Sequence, residues 1–128
     1  MNTEQVIAQM QQFSSWEDKY RFIIGLAKTL PVMDDKDKQQ ALAVQGCESQ
    51  VWLSWQQQGD RYHFQADSDA RIVKGLIALV LIAVEGKSKA DILAFDFDGY
   101  FSQLALLTQL SSSRVEGVQA IIKAVQAI

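Results

Sequence analysis

An apolar stretch at residues 75–84 lies at the centre of the predicted fold. It is too short to cross a bilayer, which takes about 20 apolar residues, so it predicts a buried helix. Its apolar positions occupy more than one face, and such a helix has to be covered on several sides. We expect it to begin at a cap, Asp67 or Ser68, and to end at Glu85-Gly86, where glycine accepts a positive φ.

Two further helices are predicted before the centre of the chain. The first covers residues 4–13, where apolar side chains recur at helical spacing. Ser14, with Glu17 three positions later, is a capping box that starts the second helix, and Pro31 stops it. The polar residues 34–40 predict a solvated turn.

The middle of the chain predicts strands, and its last third predicts helices. Apolar and polar residues alternate at 51–55, a turn follows at Gly59-Asp60, and residues 62–64 form the next strand. Residues 41–44 predict a third strand. The order of helices, strands and helices predicts an α+β fold, a short antiparallel sheet of about three strands with helices packed on it. No repeat or linker interrupts the chain, so we expect a single domain over residues 1–128.

Composition excludes some partners and compartments. Apolar residues make up 48% and charged residues 21%, as in ordinary globular proteins. Twelve Lys and Arg against 15 Asp and Glu give a net charge of −3, which does not favour nucleic acid or an anionic membrane as a partner. The N-terminus has no secretory pattern, and the single cysteine is unpaired, so we expect a cytoplasmic protein.

That single cysteine, Cys47, follows Gly46 and precedes Glu48 in a polar segment between two predicted strands. It cannot close an internal disulfide or supply a multi-thiolate metal site. A free thiol has a pKa of about 8.5, and Glu48 disfavours the thiolate, so any activation has to come from residues distant in sequence. The residues themselves leave open an inert packing thiol and a functional thiol.

Three alternative functions can be compared. In a thiol hydrolase, Cys47 would need a nearby base, and His63 is the candidate, although a half-exposed strand histidine is the simpler interpretation. A peroxide-reducing thiol is a related possibility. A metal site formed by Cys47, His63, Asp67 and Asp69 lacks any recognisable ligand spacing. In an interaction module, the cysteine would be incidental.

Charged residues near two helix starts are also candidates. Asp67 and Asp69 suit the positive end of a helix dipole, and Arg71 is placed to meet an acidic partner or simply to be solvated. Arg114 opposes the dipole in the first turn of the last helix, which indicates another purpose. Gly117 in the same helix costs about 1 kcal/mol relative to alanine, which predicts close approach of another element.

Four motifs in order resemble the SufE/CsdE family of sulfur-acceptor proteins, which work with cysteine desulfurases. QGCESQVWL at 45–53 resembles the cysteine motif of the family, and WEDKY (16–20), DSDARIVKG (67–75) and LSSSRVEG (110–117) agree in order and spacing. WEDKYR and AVEGKS are closer to the CsdE branch. The resemblance spans nearly the whole chain and implies the fold shared with IscU-type Fe–S scaffolds.

The resemblance implies sulfur relay without a cofactor or metal of the chain's own. A pyridoxal-phosphate (PLP) cysteine desulfurase would hold sulfur as a persulfide, and Cys47 would take the outer sulfur and pass it to an acceptor. That acceptor would be an Fe–S scaffold or belong to a tRNA-modification route. A lone cysteine suits this role, because a second thiol nearby would convert the persulfide into a disulfide. The family implies a monomer or weak homodimer.

Residue by residue, the resemblance makes Cys47 the sulfur acceptor. Arg114 is expected near the cysteine loop, where it would favour the thiolate, and Asp67 is expected to anchor the start of a helix. Ala66 stands where the family has glycine, so we expect a different turn there. The residues expected to bind the partner are Gly46, Glu48, Asp67 and Arg71.

Overall fold

The computed structural model describes residues 1–128 as a three-stranded antiparallel sheet with seven α-helices, so the predicted α+β fold is confirmed. The helices α1, α2 and α3 span Thr3–Gln11, Trp16–Ala27 and Asp35–Gln40. The strands β1, β2 and β3 follow at Leu42–Ala43, Val51–Gln58 and Arg61–Ser68. The remaining helices are α4 (Arg71–Val84), α5 (Lys89–Ala94), α6 (Phe97–Leu104) and α7 (Ser112–Gln126), with a 3₁₀ turn at Leu107–Gln109.

Helix α4 is the centre of the core, as its apolar sequence predicts. It packs on α2, α7 and β3, and most of its residues are buried. Gly75 allows the close contact with α2, because a Cβ atom there would lie 2.3 Å from the Ile23 carbonyl oxygen. Buried Tyr100 donates a hydrogen bond to the Leu79 carbonyl at 2.9 Å, which ties α6 to α4.

The start of α4 differs from the prediction. The helix begins at Arg71 after Ala70, which makes no side-chain cap, so the prediction of a cap at Asp67 or Ser68 is wrong. Both residues end β3, because its pairing with β2 continues through them. Ala66 is a regular, buried strand residue opposite Leu53, so the expected change of turn is also wrong.

Two other predictions about local structure are corrected. Helix α2 is capped by Ser15, whose hydroxyl accepts a hydrogen bond from Asp18 N at 3.2 Å, and not by Ser14. The predicted solvated turn is helix α3, which begins with a reciprocal capping box between Asp34 and Asp37. Paired caps at both backbone amides make even a short polar helix favourable.

The sheet has the order β1-β2-β3, so β1 and β3 form its two edges. The edge of β3 is covered by the segment after α4, where Tyr62 N donates to Lys87 O at 3.0 Å and Gly86 N donates to Tyr62 O at 2.8 Å. Gly86 has a φ of 71°, as expected for the end of α4. None of the helices combines the length and hydrophobicity needed to span a membrane.

Candidate functional site

Cys47 lies in the loop that joins β1 to β2, as the alternating pattern predicts. Gly46 has a φ of 92°, in the left-handed region that favours glycine. A Cβ atom on Gly46 would lie 3.4 Å from Ala120 Cβ, so the loop folds down onto α7 at this point. This backbone conformation turns the half-buried Cys47 toward the helix.

The thiol lies against the backbone of α7. Cys47 Sγ is 3.7 Å from the Gly117 carbonyl oxygen, the distance of a weak S–H hydrogen bond. A Cβ atom on Gly117 would also lie 3.7 Å from Sγ. The element next to Gly117 is therefore the cysteine loop, but 3.7 Å is an ordinary contact distance, so the approach predicted at this position does not require glycine.

A small cavity of about 50 Å³ lies beside the thiol. Its apolar wall comes from α4 and α7, and its polar rim comes from the loop and the first turn of α7; the lining residues besides Cys47 are Glu48, Ser49, Val73, Leu76, Ser113, Arg114, Gly117, Val118 and Ile121. A water needs only about 10–15 Å³ of such space. The cavity therefore accommodates a small atom next to Sγ.

Burial controls the ionisation of the thiol in this arrangement. It raises the pKa of Cys47 above the ordinary value for cysteine, because a thiolate loses hydration among apolar side chains. The Gly117 carbonyl next to Sγ accepts a hydrogen bond from the protonated form only. The loop position on α7 therefore favours the neutral thiol.

Hydrogen bonds hold both ends of the loop. Val44 N donates to Val51 O at 2.9 Å where the loop leaves β1. At the other end, Gln50 N donates to Asp69 Oδ1 at 3.1 Å, and Ser68 Oγ donates to Gln50 O at 2.7 Å. Ser68 and Asp69 therefore hold the loop, and Ser68 Oγ also accepts a hydrogen bond from Ala70 N at 3.3 Å just before α4. Their role was missed because the bonds join residues distant in sequence.

The predicted cationic and partner-binding residues have different positions. Arg114 lines the thiol cavity and Arg71 is the first residue of α4; both are exposed, and neither forms an ion pair. Glu48 also lines the cavity, and Gly46 is exposed in the loop. The structure therefore gathers Gly46, Glu48 and Arg114 around Cys47.

Asp67 is largely buried and forms ion pairs within the chain. It is 8% exposed, and its carboxylate lies 3.3 Å from Lys74 Nζ and 3.5 Å from Lys38 Nζ. Burial opposes its ionisation, but the Ser68 N–H and the two ammonium groups outweigh that effect and lower the pKa of Asp67. The ion pairs join β3 to α3 and α4, so Asp67 supports the start of α4 without capping it.

His63 does not belong to the site. It lies on β3 opposite Gln56, while Val51 and Ser68 form the strand pair next to the loop. At about 3.3 Å per residue, roughly 17 Å of strand separates the two pairs. His63 Nδ1 instead lies 2.7 Å from Glu85 Oε2. The Cys47–His63 pair that the hydrolase alternative needs is therefore absent, and His63 is the partly exposed strand histidine of the simpler interpretation.

The residues considered for a metal site, Cys47, His63, Asp67 and Asp69, do not come together in the structure. No group of three His, Cys, Asp or Glu side chains converges to hold an ion. Asp67 is paired with lysines and Asp69 with a backbone amide. What the site offers chemically is one thiol, half-buried on a loop, beside a small cavity with a cation at its rim.

Comparison with known proteins gives three findings. A family described as "SufE: Fe-S metabolism associated domain" matches residues 4–128. The sulfur acceptor protein CsdE of Escherichia coli (strain K12) is 44% identical over 113 residues, which cover 88% of this chain and 77% of CsdE. A hypothetical protein from Thermus thermophilus, known from a solution structure, shares the fold with a TM-score of 0.78 at 17% identity, over 98% of this chain and 90% of that chain.

Proposed function

The chain belongs to the SufE family, and from that premise we propose that it is a sulfur carrier whose Cys47 accepts sulfur from a PLP-dependent cysteine desulfurase. The observation that carries the proposal is the lone thiol on a loop beside a cavity with room for one more small atom. The protein is not itself an enzyme in this account. It stimulates the desulfurase by removing its sulfur, and the sulfur continues to an acceptor such as an Fe–S scaffold.

The transfer is a thiol exchange that balances without an oxidant. The Cys47 thiolate attacks the outer sulfur of the donor persulfide, and a new S–S bond forms on Cys47 as the donor's S–S bond breaks. The donor cysteine leaves as a thiolate, and the proton lost by Cys47 restores its thiol. The sulfane sulfur keeps its oxidation state throughout, so the chain needs no metal or redox cofactor for this step.

The resting geometry implies that the loop moves during transfer. Sγ faces the Gly117 carbonyl, and burial keeps the thiol protonated, so neither access nor ionisation suits attack in this position. The contact with α7 is a single weak hydrogen bond plus packing, whereas both ends of the loop are held by strong hydrogen bonds. The segment between Val44 and Gln50 therefore swings as a unit to bring Cys47 to the donor.

After transfer, the same cavity shelters the product. The space beside Sγ accommodates the added sulfur, and the absence of a second cysteine in the chain prevents an internal disulfide. In the reducing cytoplasm, Cys47 would remain a free thiol. A peroxide-reducing thiol would need the same thiolate as sulfur relay, so the raised pKa of Cys47 does not distinguish the two functions, and family membership favours relay.

The proposal is tested by desulfurase turnover. A PLP-loaded cysteine desulfurase from the same organism is given L-cysteine, and alanine is measured with and without the wild-type chain. Alanine formation should rise with the wild-type chain and not with Cys47→Ser, which has the same shape but no nucleophilic sulfur. Equal stimulation by Cys47→Ser would show that Cys47 is not the acceptor that accelerates turnover.

A further inference from the structure

We propose that the free edge of β1 is a docking site for an extended segment of the cysteine desulfurase, which adds a strand to the sheet next to Cys47. The inference rests on the proposed function, because it takes a desulfurase as the sulfur donor. It adds to that function the surface that receives the donor and the kind of segment that fits it.

The backbone of β1 is oriented for such pairing. Val44 N donates to Val51 O, and in an antiparallel ladder the bonded positions alternate, so the backbone of Ala43 faces away from β2. Both residues of β1 are exposed, and Leu42 keeps 46% of its surface accessible. The strand thus presents an N–H, a carbonyl and an apolar side chain at the open edge.

The two edges of the sheet differ in the hydrogen bonds that cover them. Exposed edges pair readily with other chains, and proteins usually cover them. The edge of β3 is covered by backbone bonds to Gly86 and Lys87 and by Glu85, whose carboxylate accepts a hydrogen bond from Phe64 N. The edge of β1 carries only the Gln45 side chain, whose Nε2 donates to the Ala43 carbonyl at 3.3 Å. A side-chain amide in this position imitates the N–H of a neighbouring strand and can be displaced by one.

The position of the edge identifies the desulfurase as its occupant. Cys47 follows Ala43 by a short loop that spans at most roughly 14 Å even when fully extended. A stable interface covers about 800 Å² on each partner. A protein that brings its persulfide to Cys47 therefore also covers β1, and an extended segment of it can pair with Ala43 as a peptide pairs with a sheet edge.

Pairing at this edge also acts on the cysteine loop. A strand N–H that binds the Ala43 carbonyl displaces the Gln45 amide, and Gln45 lies within the loop that carries Cys47. Its release removes a local hydrogen bond at the β1 end of the loop. Docking of the donor is thereby expected to loosen the loop at this end through one side chain.

The test compares two substitutions at one position. Ala43→Pro removes the outward N–H, and proline is tolerated at strand edges where the N–H faces solvent; Ala43→Val keeps the N–H. Binding to the PLP-loaded desulfurase of the same organism is measured by calorimetry, and reaction of Cys47 with iodoacetamide checks the free site.

Ala43→Pro should raise Kd roughly tenfold and Ala43→Val less than about twofold, the difference expected for one backbone hydrogen bond. Equal Kd values for the two variants would overturn the proposal.

Hydrogen exchange on the wild-type chain gives a second test that does not depend on folding of the proline variant. The Ala43 amide should exchange fast in the free protein and become protected in the complex; fast exchange in both would contradict strand pairing. If Ala43→Pro abolishes a dimer of this chain but leaves the desulfurase Kd unchanged, the edge serves a second copy and the proposal is wrong. If wild-type Cys47 gains no sulfur at all, the proposed function fails, and this inference falls with it.

Discussion

Gly75 and Gly117 both lie inside long helices, but the atoms that surround them differ. A methyl group on Gly75 would lie 2.3 Å from the oxygen and 2.8 Å from the carbonyl carbon of Ile23, which are backbone atoms of α2. A methyl group on Gly117 would lie 3.7 Å from Cys47 Sγ, an ordinary contact with a side chain. The first glycine is required for the direct contact between two helices, whereas at the second position an alanine would also fit beneath the loop.

The difference indicates which contacts of this fold can separate without unfolding. Two backbones in direct contact separate only when the helices separate, which means unfolding of the core. A loop side chain against a helix can leave while every helix stays in place. The chain therefore combines a fixed frame around α4 with a looser contact on α7, and the proposed transfer requires the thiol to leave that looser contact.

The largest effect is expected from Gly75→Ala, which would break the fixed contact. Its methyl group has no room against the Ile23 backbone, so α2 and α4 have to move apart. We expect a loss of about 2–4 kcal/mol in the free energy of unfolding, even after the gain in helix propensity. Urea denaturation followed by circular dichroism measures it.

Gly25→Ala is the matched control for that substitution. Gly25 lies in α2, and apart from the neighbouring backbone of that helix no atom lies within 4 Å of the Cβ that alanine would add. Alanine there should stabilise the protein by about 0.4–1 kcal/mol through helix propensity alone. If Gly75→Ala is as harmless as Gly25→Ala, the account of the α2–α4 contact is wrong.

The next largest effect is expected from Asp67→Asn. This substitution tests the ion pairs that join β3 to α3 and α4. The amide keeps the shape of the side chain but loses the charge shared with Lys38 and Lys74, so we expect a loss of about 2 kcal/mol at pH 7. Because the folded-state pKa of Asp67 lies below its ordinary value, the stabilisation is present above about pH 4 and is lost as the pH falls through the folded-state pKa. Unfolding of both proteins from pH 7 down to acid should show the gap closing, whereas a constant gap would exclude the charge as its cause.

Gly117→Ala tests the contact between α7 and the cysteine loop. The added methyl group packs against Sγ without a clash, so we expect the free energy of unfolding to rise by up to about 1 kcal/mol. Alkylation of Cys47 should become slower, because the methyl group fills space beside the thiol. A destabilisation as large as that of Gly75→Ala would remove the distinction between the two glycines.

The smallest effect is expected from Arg114→Ala, which tests the predicted support of the thiolate. Arg114 lines the thiol cavity without an acidic partner, so its removal should slow alkylation of Cys47 at neutral pH by about two- to fivefold and shift the pH profile upward. Arg71→Ala removes a comparable exposed cation that does not line the cavity and should leave the profile unchanged. Identical profiles for both variants would remove this role from Arg114.

The fold was largely predictable where the sequence of a helix or strand alone determines its structure. The apolar periodicity around α4 is a local signal, and it is confirmed. Helix α3 was missed because it has no apolar face, although the Asp34–Asp37 capping box is visible in the sequence. Asp67 was misassigned because strand pairing with Trp52, which is not a local property, outweighs its preference for a helix cap.

The site was predictable in its central residue but not in its geometry. Cys47 was identified by its motif, and Gly117 was noted as a site of close approach, yet nothing in the sequence joins two residues so far apart. The hydrogen bonds from Ser68 and Asp69 to Gln50 are equally long-range. They arise from the tertiary packing of β3 and the loop, which a sequence pattern does not record.

The most direct test of sulfur acceptance is the intact mass of the chain after incubation with its cysteine desulfurase, PLP and L-cysteine, without added reductant. We predict the gain of one sulfur atom, located on Cys47 by peptide mapping and absent from Cys47→Ser. A wild-type chain that binds the active desulfurase and still gains no sulfur on Cys47 would contradict the account.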